Sequence, residues 1–220
     1  MTESGSMISE PWRIFRIMAE FVEGFDLMAR TRPVVSIFGS ARTQPDDPYY
    51  AMAVETAERL AKEGYTIVTG GGPGIMEAAN RGAQKGGGKS IGLNVELPFE
   101  QTINPYLDES MTFRYFFCRK TMFVRYASAI VIMPGGFGTM DEMFESLTLI
   151  QTHKAAKFPL IMMGTDYWSG LLDWIENTMV KAGTILEEDF EMITVTDDPD
   201  ECVRLIMCTP DECQGVTLPG

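Results

Sequence analysis

Residues 129–142 read Ala-Ile-Val-Ile-Met-Pro-Gly-Gly-Phe-Gly-Thr-Met-Asp-Glu, and this stretch decides the fold. The apolar run at 129–133 is short and rich in β-branched residues, which predicts a buried strand. Residues 134–138 form a glycine-rich loop, and residues 140–151 are predicted as a helix. A strand, a glycine turn and a helix in succession are the repeating unit of a parallel α/β sheet.

The same unit recurs on both sides of this stretch. Further buried strands are predicted at residues 34–39, 65–69, 90–95, 159–163 and 192–195. Helices are predicted at residues 48–64, 75–84, 117–126 and 168–181. Residues 96–110, rich in proline and polar side chains, are predicted as an irregular loop. The alternation predicts a Rossmann-like, doubly wound parallel sheet with helices on both faces.

The chain of 220 residues is predicted to form a single domain over 1–220, with a core at 33–195 and a polar tail at 209–220. An amphipathic helix is predicted at 11–29, because apolar residues recur there three or four positions apart: Trp12, Phe15, Met18, Val22 and Phe25.

Composition narrows the functional classes. Hydrophobic residues make up 45 % of the chain and charged residues 22 %, values typical of globular proteins. The net charge of 18 − 31 = −13 argues against binding to nucleic acid or to an anionic membrane surface. An anionic ligand must therefore be held locally, by backbone amides and a few arginines.

The chain lacks an apolar run of the roughly 20 residues that a membrane span needs, and its polar, acidic start is unlike a signal peptide. The four cysteines, Cys118, Cys202, Cys208 and Cys213, are too few for a disulfide framework and lack zinc-site spacing. We expect a cytoplasmic protein without a bound metal.

Two glycine loops are the candidate ligand site. Residues 69–77 and 133–142 each follow a predicted strand and open a predicted helix, so both loops lie at the carboxyl edge of the sheet. Glycine allows close approach of the backbone to a ligand, and free amides at a helix start attract anions. The pair of loops predicts a phosphate site. The alternative is two tight turns that bind no ligand.

The loops favour a mononucleotide or a sugar phosphate over a dinucleotide. After the first strand comes Gly-Ser-Ala-Arg at 39–42, which lacks the dinucleotide fingerprint. In the second unit, Gly-Pro-Gly-Ile-Met at 72–76 is followed by Glu77, where the third glycine of that fingerprint should stand. Gly-Lys-Ser at 88–90 resembles the end of a Walker loop, but Ala83 replaces its first glycine. We therefore predict no cofactor.

Two sets of charged residues are candidate catalytic groups. Glu142 follows the second glycine loop, where a carboxylate can stabilise positive charge on a sugar ring. The alternative is a helix capping box formed by Thr139 and Glu142. Arg119 and Lys120 lie on the helix that precedes the loop's strand, where arginine can bind phosphate or orient a carboxylate. Their alternative role is a solvated basic face.

These residues resemble a known family. Pro-Gly-Gly-Phe-Gly-Thr-Met-Asp-Glu at 134–142 is similar to the P-G-G-x-G-T-x-x-E signature of the LOG ("Lonely Guy") phosphoribohydrolases. Arg119-Lys120 matches that family's R-K pair in identity and spacing. Residues 70–76 resemble its G-G-G-x-x-G-x-M loop, one residue shorter, and residues 37–42 its first strand and loop. The likeness covers about residues 33–195. The N-terminal helix and the cysteine-containing tail lie outside the compact plant-type pattern and look more like the longer bacterial branch of the family.

The resemblance implies a Rossmann-like fold and hydrolysis of the N-glycosidic bond of a nucleoside 5′-monophosphate, AMP or N6-substituted AMP, to free base and ribose 5-phosphate. It also implies a homodimer or higher homo-oligomer. Arg119 and Glu142 match the catalytic pair. Residues matching the substrate-binding positions are Gly72, Gly74, Glu100, Lys120, Gly135, Gly136, Gly138, Thr139 and Thr148. For Glu100, a solvated loop charge is the alternative role.

Two other functions were considered beside the phosphoribohydrolase. Molybdenum-cofactor carriers resemble this family in fold and share its glycine loops, so a non-catalytic nucleotide or cofactor carrier is the alternative. The family has also been labelled lysine decarboxylase. Against that label, the chain is short for a pyridoxal enzyme, and its lysine motif is the tripeptide Thr-His-Lys at 152–154, predicted as a helix end.

Overall fold

The computed structural model describes residues 10–97 and 102–208. The strands are β1 (Val34–Phe38), β2 (Thr66–Thr69), β3 (Ser90–Val95), β4 (Glu109–Phe113), β5 (Ala129–Ile132), β6 (Leu160–Met163) and β7 (Ile193–Thr196). The helices are α1 (Glu10–Ala29), α2 (Pro48–Lys62), α3 (Ile75–Lys85), α4 (Phe116–Tyr126), α5 (Phe137–Gln151), α6 (Thr165–Trp174), α7 (Glu187–Phe190) and α8 (Pro199–Met207). A π-helical segment, Ile175–Val180, continues α6.

These strands form one sheet in the order β4-β3-β2-β1-β5-β6-β7, and every pair of neighbours is parallel. Val35 of β1 lies between Ile67 of β2 and Ala129 of β5. The chain builds outward from β1 in one direction through β4 and then in the other through β7. The order therefore reverses between β1 and β5, and ligands bind at such a reversal, beyond the carboxyl ends of the strands.

Both faces of the sheet are covered, as predicted. One core contains side chains of α2, α3 and α8, and its largest members include Leu60 and Ile75. The other contains side chains of α1, α4, α5 and α6, including Phe123 and Trp168. Strands β1, β2, β3, β5 and β6 consist entirely of buried residues, which is why they read as short apolar runs.

Three elements were missed by the sequence analysis: strand β4 and the helices α7 and α8. Residues 109–113 form edge strand β4, although we predicted an irregular loop up to residue 110. Of these five residues only Phe113 is buried, so the apolar signal of a strand is absent. The predicted core also ended too early, at residue 195, because α8 buries Cys202 and Ile206 against α2.

Helix α1 confirms the predicted N-terminal helix but buries a different face. It packs on α4 through side chains that include Phe21 and Met28. Four of the five residues of the predicted apolar stripe instead face solvent, with more than half of each side chain exposed: Trp12, Phe15, Met18 and Val22. The fifth, Phe25, packs against Tyr126. Across the described ranges, helices long and apolar enough to cross a membrane are absent.

Close contacts join three loops at the carboxyl edge. The Ser40 amide after β1 donates to the carbonyl of Pro134, and the Ser40 carbonyl accepts from the amide of Ile75. Gly74 makes the second contact possible, because a Cβ at this position would collide with the backbone of Ser40 and Ala41. The backbone of Gly74 also has a positive φ of 69°, which disfavours other residues.

Gly74→Ala is therefore expected to lower the free energy of unfolding by at least about 3 kcal/mol, since it adds a backbone collision to the cost of a positive φ. Gly64→Ala is the matched control, because Gly64 has a φ of 86° but open space around its Cβ position. The control is expected to lose roughly 1–2 kcal/mol. Urea unfolding measures both, and equal losses would contradict the contact between the loops.

Candidate active site

A cleft of about 700 Å³ opens at the carboxyl edge of the sheet. Its walls come from the loops after β1, β2 and β5, the end of β3, and one side of α4. Both predicted glycine loops contribute, through Gly70 and Gly72 from the first and through residues 135–140 from the second. The two loops that the sequence singled out therefore line one site.

The second glycine loop presents the start of α5 to the cleft. The helix begins at Phe137, three residues before the predicted start, and its N-cap, Gly136, makes no side-chain cap hydrogen bond. The capping box proposed for Thr139 and Glu142 is therefore wrong, because both residues already lie inside the helix. The amides of Phe137, Gly138 and Thr139 precede the first intrahelical hydrogen bond, which Met140 donates to Gly136. Such a helix start attracts anions.

The first glycine loop is held from below by buried polar side chains that the sequence analysis missed. The Gly71 amide donates to Thr69 Oγ1 at 2.9 Å. Asn104 Nδ2 donates to the Gly72 carbonyl and to Asn80 Oδ1, both at 2.9 Å. These bonds leave Gly72 on the cleft wall, whereas Gly74 lies behind it against the loop after β1.

Arg119 and Glu142 meet inside the cleft. Arg119 Nη2 lies 3.6 Å from Glu142 Oε1, and the two side chains are 15 % and 5 % exposed. The guanidinium of Arg119 also lies over the rings of Phe116 and Phe123, at 5.3 and 5.6 Å from their centroids. A solvated basic face is therefore the wrong description of Arg119.

Each member of this pair keeps one polar atom without a hydrogen-bond partner. In the described part of the chain these buried atoms are Nε of Arg119 and Oε2 of Glu142. Buried polar atoms in folded proteins are almost always paired, so an unpaired donor and acceptor facing one cleft indicate a site completed by a ligand.

Burial sets the ionisation of both groups. It raises the pKa of the Glu142 carboxyl to about 7, against the opposing positive charges of Arg119 and Lys120. Burial also lowers the pKa of the Arg119 guanidinium, and the negative charge of Glu142 opposes that shift. Near neutral pH a carboxyl group of this kind can gain or lose a proton, as acid–base catalysis requires.

Lys120 points to a different place from Arg119. Its Nζ forms ion pairs with Asp141 at 2.8 Å and with Glu145 at 2.7 Å, and its side chain is not on the cleft wall. Lys120 thereby joins α4 to α5 through two carboxylates, Asp141 and Glu145, which precede and follow Glu142 in the helix. These ion pairs contradict the alternative role of Lys120 in a solvated basic face. The predicted contact between Lys120 and the substrate stays a prediction.

Of the other predicted substrate-binding residues, Thr148 does not line the cleft. The Thr148 hydroxyl donates to the carbonyl of Phe144 in its own helix and borders a separate small pocket of about 90 Å³. Glu100 lies outside the described residues. Clusters of three or more histidine, cysteine or acidic side chains that could hold a metal are absent from residues 10–97 and 102–208.

The cleft also contains side chains that the sequence analysis did not single out. The hydroxyl of Tyr167 donates to the Gly135 carbonyl at 2.8 Å and so supports the second glycine loop. Asn94 lies near the end of β3, and its amide is buried. Both residues occur at or just after the carboxyl end of a strand, and that position was the available signal.

The fold and the cleft define a doubly wound α/β protein with a glycine-lined helix start at the carboxyl edge of its sheet and a buried arginine–glutamate pair. A family described as possible lysine decarboxylase matches residues 76–206 of the chain. The chain therefore belongs to this family, the LOG family that the sequence motifs resemble.

Curated relatives carry a more specific name. The chain is 30 % identical to a probable cytokinin riboside 5′-monophosphate phosphoribohydrolase of Oryza sativa over 66 % of its own length and 60 % of that protein. It is 27 % identical to the cytokinin riboside 5′-monophosphate phosphoribohydrolase of Mycobacterium tuberculosis, over 72 % of its length and 84 % of that protein. The match thus spans less than two thirds of the rice relative.

A solved structure agrees with the fold. The molybdenum cofactor binding protein of Rippkaea orientalis superposes with a TM-score of 0.60 and 21 % identity, over 79 % of this chain and 94 % of that one. Identity at this level supports the shared architecture alone.

The pKa of Glu142 predicts how Glu142→Gln changes stability with pH. The native carboxyl group titrates near 7 instead of 4.5, so ionisation destabilises the wild type progressively as the pH rises through this range, whereas glutamine does not ionise. Between pH 5 and pH 8, the free energy of unfolding of the variant should improve relative to wild type by about 2 kcal/mol. Urea titrations of both proteins measure this difference, and a pH-independent difference would contradict the burial of the charge.

Proposed function

We propose that the protein hydrolyses the N-glycosidic bond of a nucleoside 5′-monophosphate, with AMP or an N6-substituted AMP as substrate. The observation that supports this most is the buried pair of Arg119 and Glu142, each with one unpaired polar atom, beside a helix start that can bind phosphate. The names of the curated relatives point to the same class of reaction.

In this proposal the 5′-phosphate binds at the start of α5. The amides of Gly138 and Thr139 donate to its oxygens, and the helix dipole adds favourable electrostatic energy. Gly72 and Gly136 allow the backbone of the two loops to approach the phosphate closely. Neutral amides suit a chain with a net charge of −13, because they bind the anion without a cluster of basic side chains.

The ribose then lies beside Glu142. As the bond between C1′ and the base nitrogen breaks, its electron pair leaves with the base and positive charge develops at C1′. The ionised carboxylate of Glu142 stabilises that charge and orients a water molecule, whose oxygen bonds to C1′ while its released proton passes to the departing base. Arg119 holds the carboxylate in place and donates from Nε to a ribose oxygen.

A cofactor carrier is the alternative function, because a molybdenum cofactor binding protein shares this fold. A carrier has no need of a carboxyl group kept out of water near an arginine. Lysine decarboxylation, which the family description names, has less support, because Lys154 is exposed beyond the end of α5 and away from the cleft.

Glu142→Gln keeps the shape of the side chain and removes its charge, so kcat for release of adenine from AMP should fall by at least about a hundredfold. Glu145→Gln is the control on the same helix and should lower kcat by less than tenfold. Chromatography of free base and ribose 5-phosphate measures both rates. Equal kcat values for Glu142→Gln and the wild type would reject the assignment.

Arg119→Lys should lower kcat to a similar extent, because an ammonium group cannot donate to the carboxylate and to the ribose in the same planar geometry. Arg125→Lys, an exposed position in the last turn of α4, is the control and should retain activity. Loss of activity in both variants would point to a general effect on α4 rather than to a role of Arg119.

The pH profile separates two roles for Glu142. If the ionised form acts, kcat/KM for AMP should fall roughly tenfold per unit as the pH drops below about 7. The substrate phosphate also titrates near pH 6, and the residual activity of Glu142→Gln reports that ionisation alone. A fall in kcat/KM above pH 7 would instead show that the protonated carboxyl acts as an acid.

A further inference from the structure

Asn94 is a buried amide that the proposed reaction has not yet used. It is 7 % exposed, it lies on the cleft wall, and its Nδ2 has no hydrogen-bond partner among the described residues. Leaving a buried amide nitrogen unpaired costs stability. Together with Arg119 Nε and Glu142 Oε2, it is the third buried unpaired polar atom of a side chain in this cleft.

The amide of Asn94 lies close to Gly71. A Cβ at Gly71, which has a φ of 72°, would overlap the Asn94 side chain, so the first glycine loop is shaped around this amide. The last torsion of asparagine has a broad, two-fold energy profile. Rotation about it can present either the nitrogen or the oxygen of the amide to a ligand in the cleft.

The position of Asn94 along the sheet edge indicates which part of a ligand it meets. The strands run in the order β3, β2, β1, β5, and neighbouring strands lie about 4.8 Å apart, so the ends of β3 and β5 are roughly 14 Å apart. The phosphate-binding start of α5 follows β5. Arg119 lies between, with Nη1 near Gly70 in the loop after β2. A nucleotide with its phosphate at α5 therefore extends its base toward β3.

The β3 end of the cleft has the character of a base site. Val95 and Leu97 follow Asn94 on the wall, and the ring of Phe116, at the start of α4, also lines the cleft. Apolar surfaces such as these accommodate the faces of a planar base, while a few polar groups determine its orientation. Asn94 provides an amide that can donate and accept at once.

We infer that Asn94 is a specificity-determining residue that hydrogen-bonds to the edge of an adenine-type base, and this inference rests on the proposed function. Adenine presents a ring-nitrogen acceptor beside an amino donor, which matches the two atoms of an asparagine amide. This pairing uses the N7 and N6 atoms of adenine. At the same edge hypoxanthine presents two acceptors, N7 and O6, and cannot pair with both amide atoms. The structure thus assigns to Asn94 a preference for AMP over IMP.

The test compares kcat/KM for AMP, IMP and 2′-deoxy-AMP in the wild type, Asn94→Ala and Asn94→Asp. Both variants should lower the ratio of AMP to IMP by roughly tenfold or more, because each loses the donor of a paired contact. The ratio of AMP to 2′-deoxy-AMP should stay within about twofold. The melting temperature of the ligand-free Asn94→Ala protein should fall less than that of Asn104→Ala, since Nδ2 of Asn94 has no hydrogen bond to lose.

Asn104→Ala is the matched control, because Asn104 supports the same loop from below through the Gly72 carbonyl. It should lower the melting temperature and reduce AMP and IMP turnover alike. An unchanged AMP to IMP ratio in Asn94→Ala would overturn the inference. So would a changed ratio of AMP to 2′-deoxy-AMP, which would indicate a ribose contact, or behaviour like that of Asn104→Ala.

Calorimetric titration with AMP and IMP keeps this test independent of catalysis. If the wild type binds AMP more tightly than IMP but cleaves neither, the proposed reaction fails, and loss of the binding preference in Asn94→Ala still supports the inference. If neither nucleotide binds to the wild type, both the proposed function and the role of Asn94 are rejected.

Discussion

Holding the Glu142 carboxyl group out of water beside Arg119 is the constraint around which the rest of the cleft is arranged. Desolvation penalises both charges, and their contact at 3.6 Å compensates only in part, because each group keeps an unpaired atom. The arrangement persists because rigid elements enforce it. Arg119 is fixed between two aromatic rings on α4, and Lys120 joins α4 to α5 through Asp141 and Glu145. The stability lost at the pair is supplied by the two apolar cores beneath it.

The proposed phosphate site likewise relies on neutral backbone donors rather than on charged side chains. A chain with a net charge of −13 repels phosphate at long range, so binding depends on short-range, directed donors. Backbone amides at the start of α5 provide them, and the contacts of Ser40 with Pro134 and Ile75 fix the positions of the two glycine loops. Because the loops contact one another through their backbones, a side chain at Gly74 or Gly135 would collide with the backbone at residues 40–41.

Much of this could be predicted from local sequence. The buried parallel strands are continuous apolar runs, and glycine loops after two of them located the cleft. What could not be predicted depends on tertiary contacts. Strand β4 has only Phe113 buried, and its pairing with β3 provides what its own pattern lacks. The outward face of α1 looked like a packing face, because periodicity does not say which of two adjacent stripes meets the protein. Neither Lys120 between two carboxylates nor Asn94 beside Gly71 leaves a signal in spacing.

The strand order also has a consequence for how the chain acquires its cleft during synthesis. Strands β1 to β4 come from residues 34–113, whereas β5 to β7 come from residues 129–196, and the central pairing of β1 with β5 joins these two halves. On the ribosome the first half emerges with one side of β1 still unpaired. Arg119 reaches its carboxylate partner only when α5 has been translated and docked. Ligand-binding competence is thus a late event, and a nascent chain released before that point would display an open sheet edge instead of a pocket.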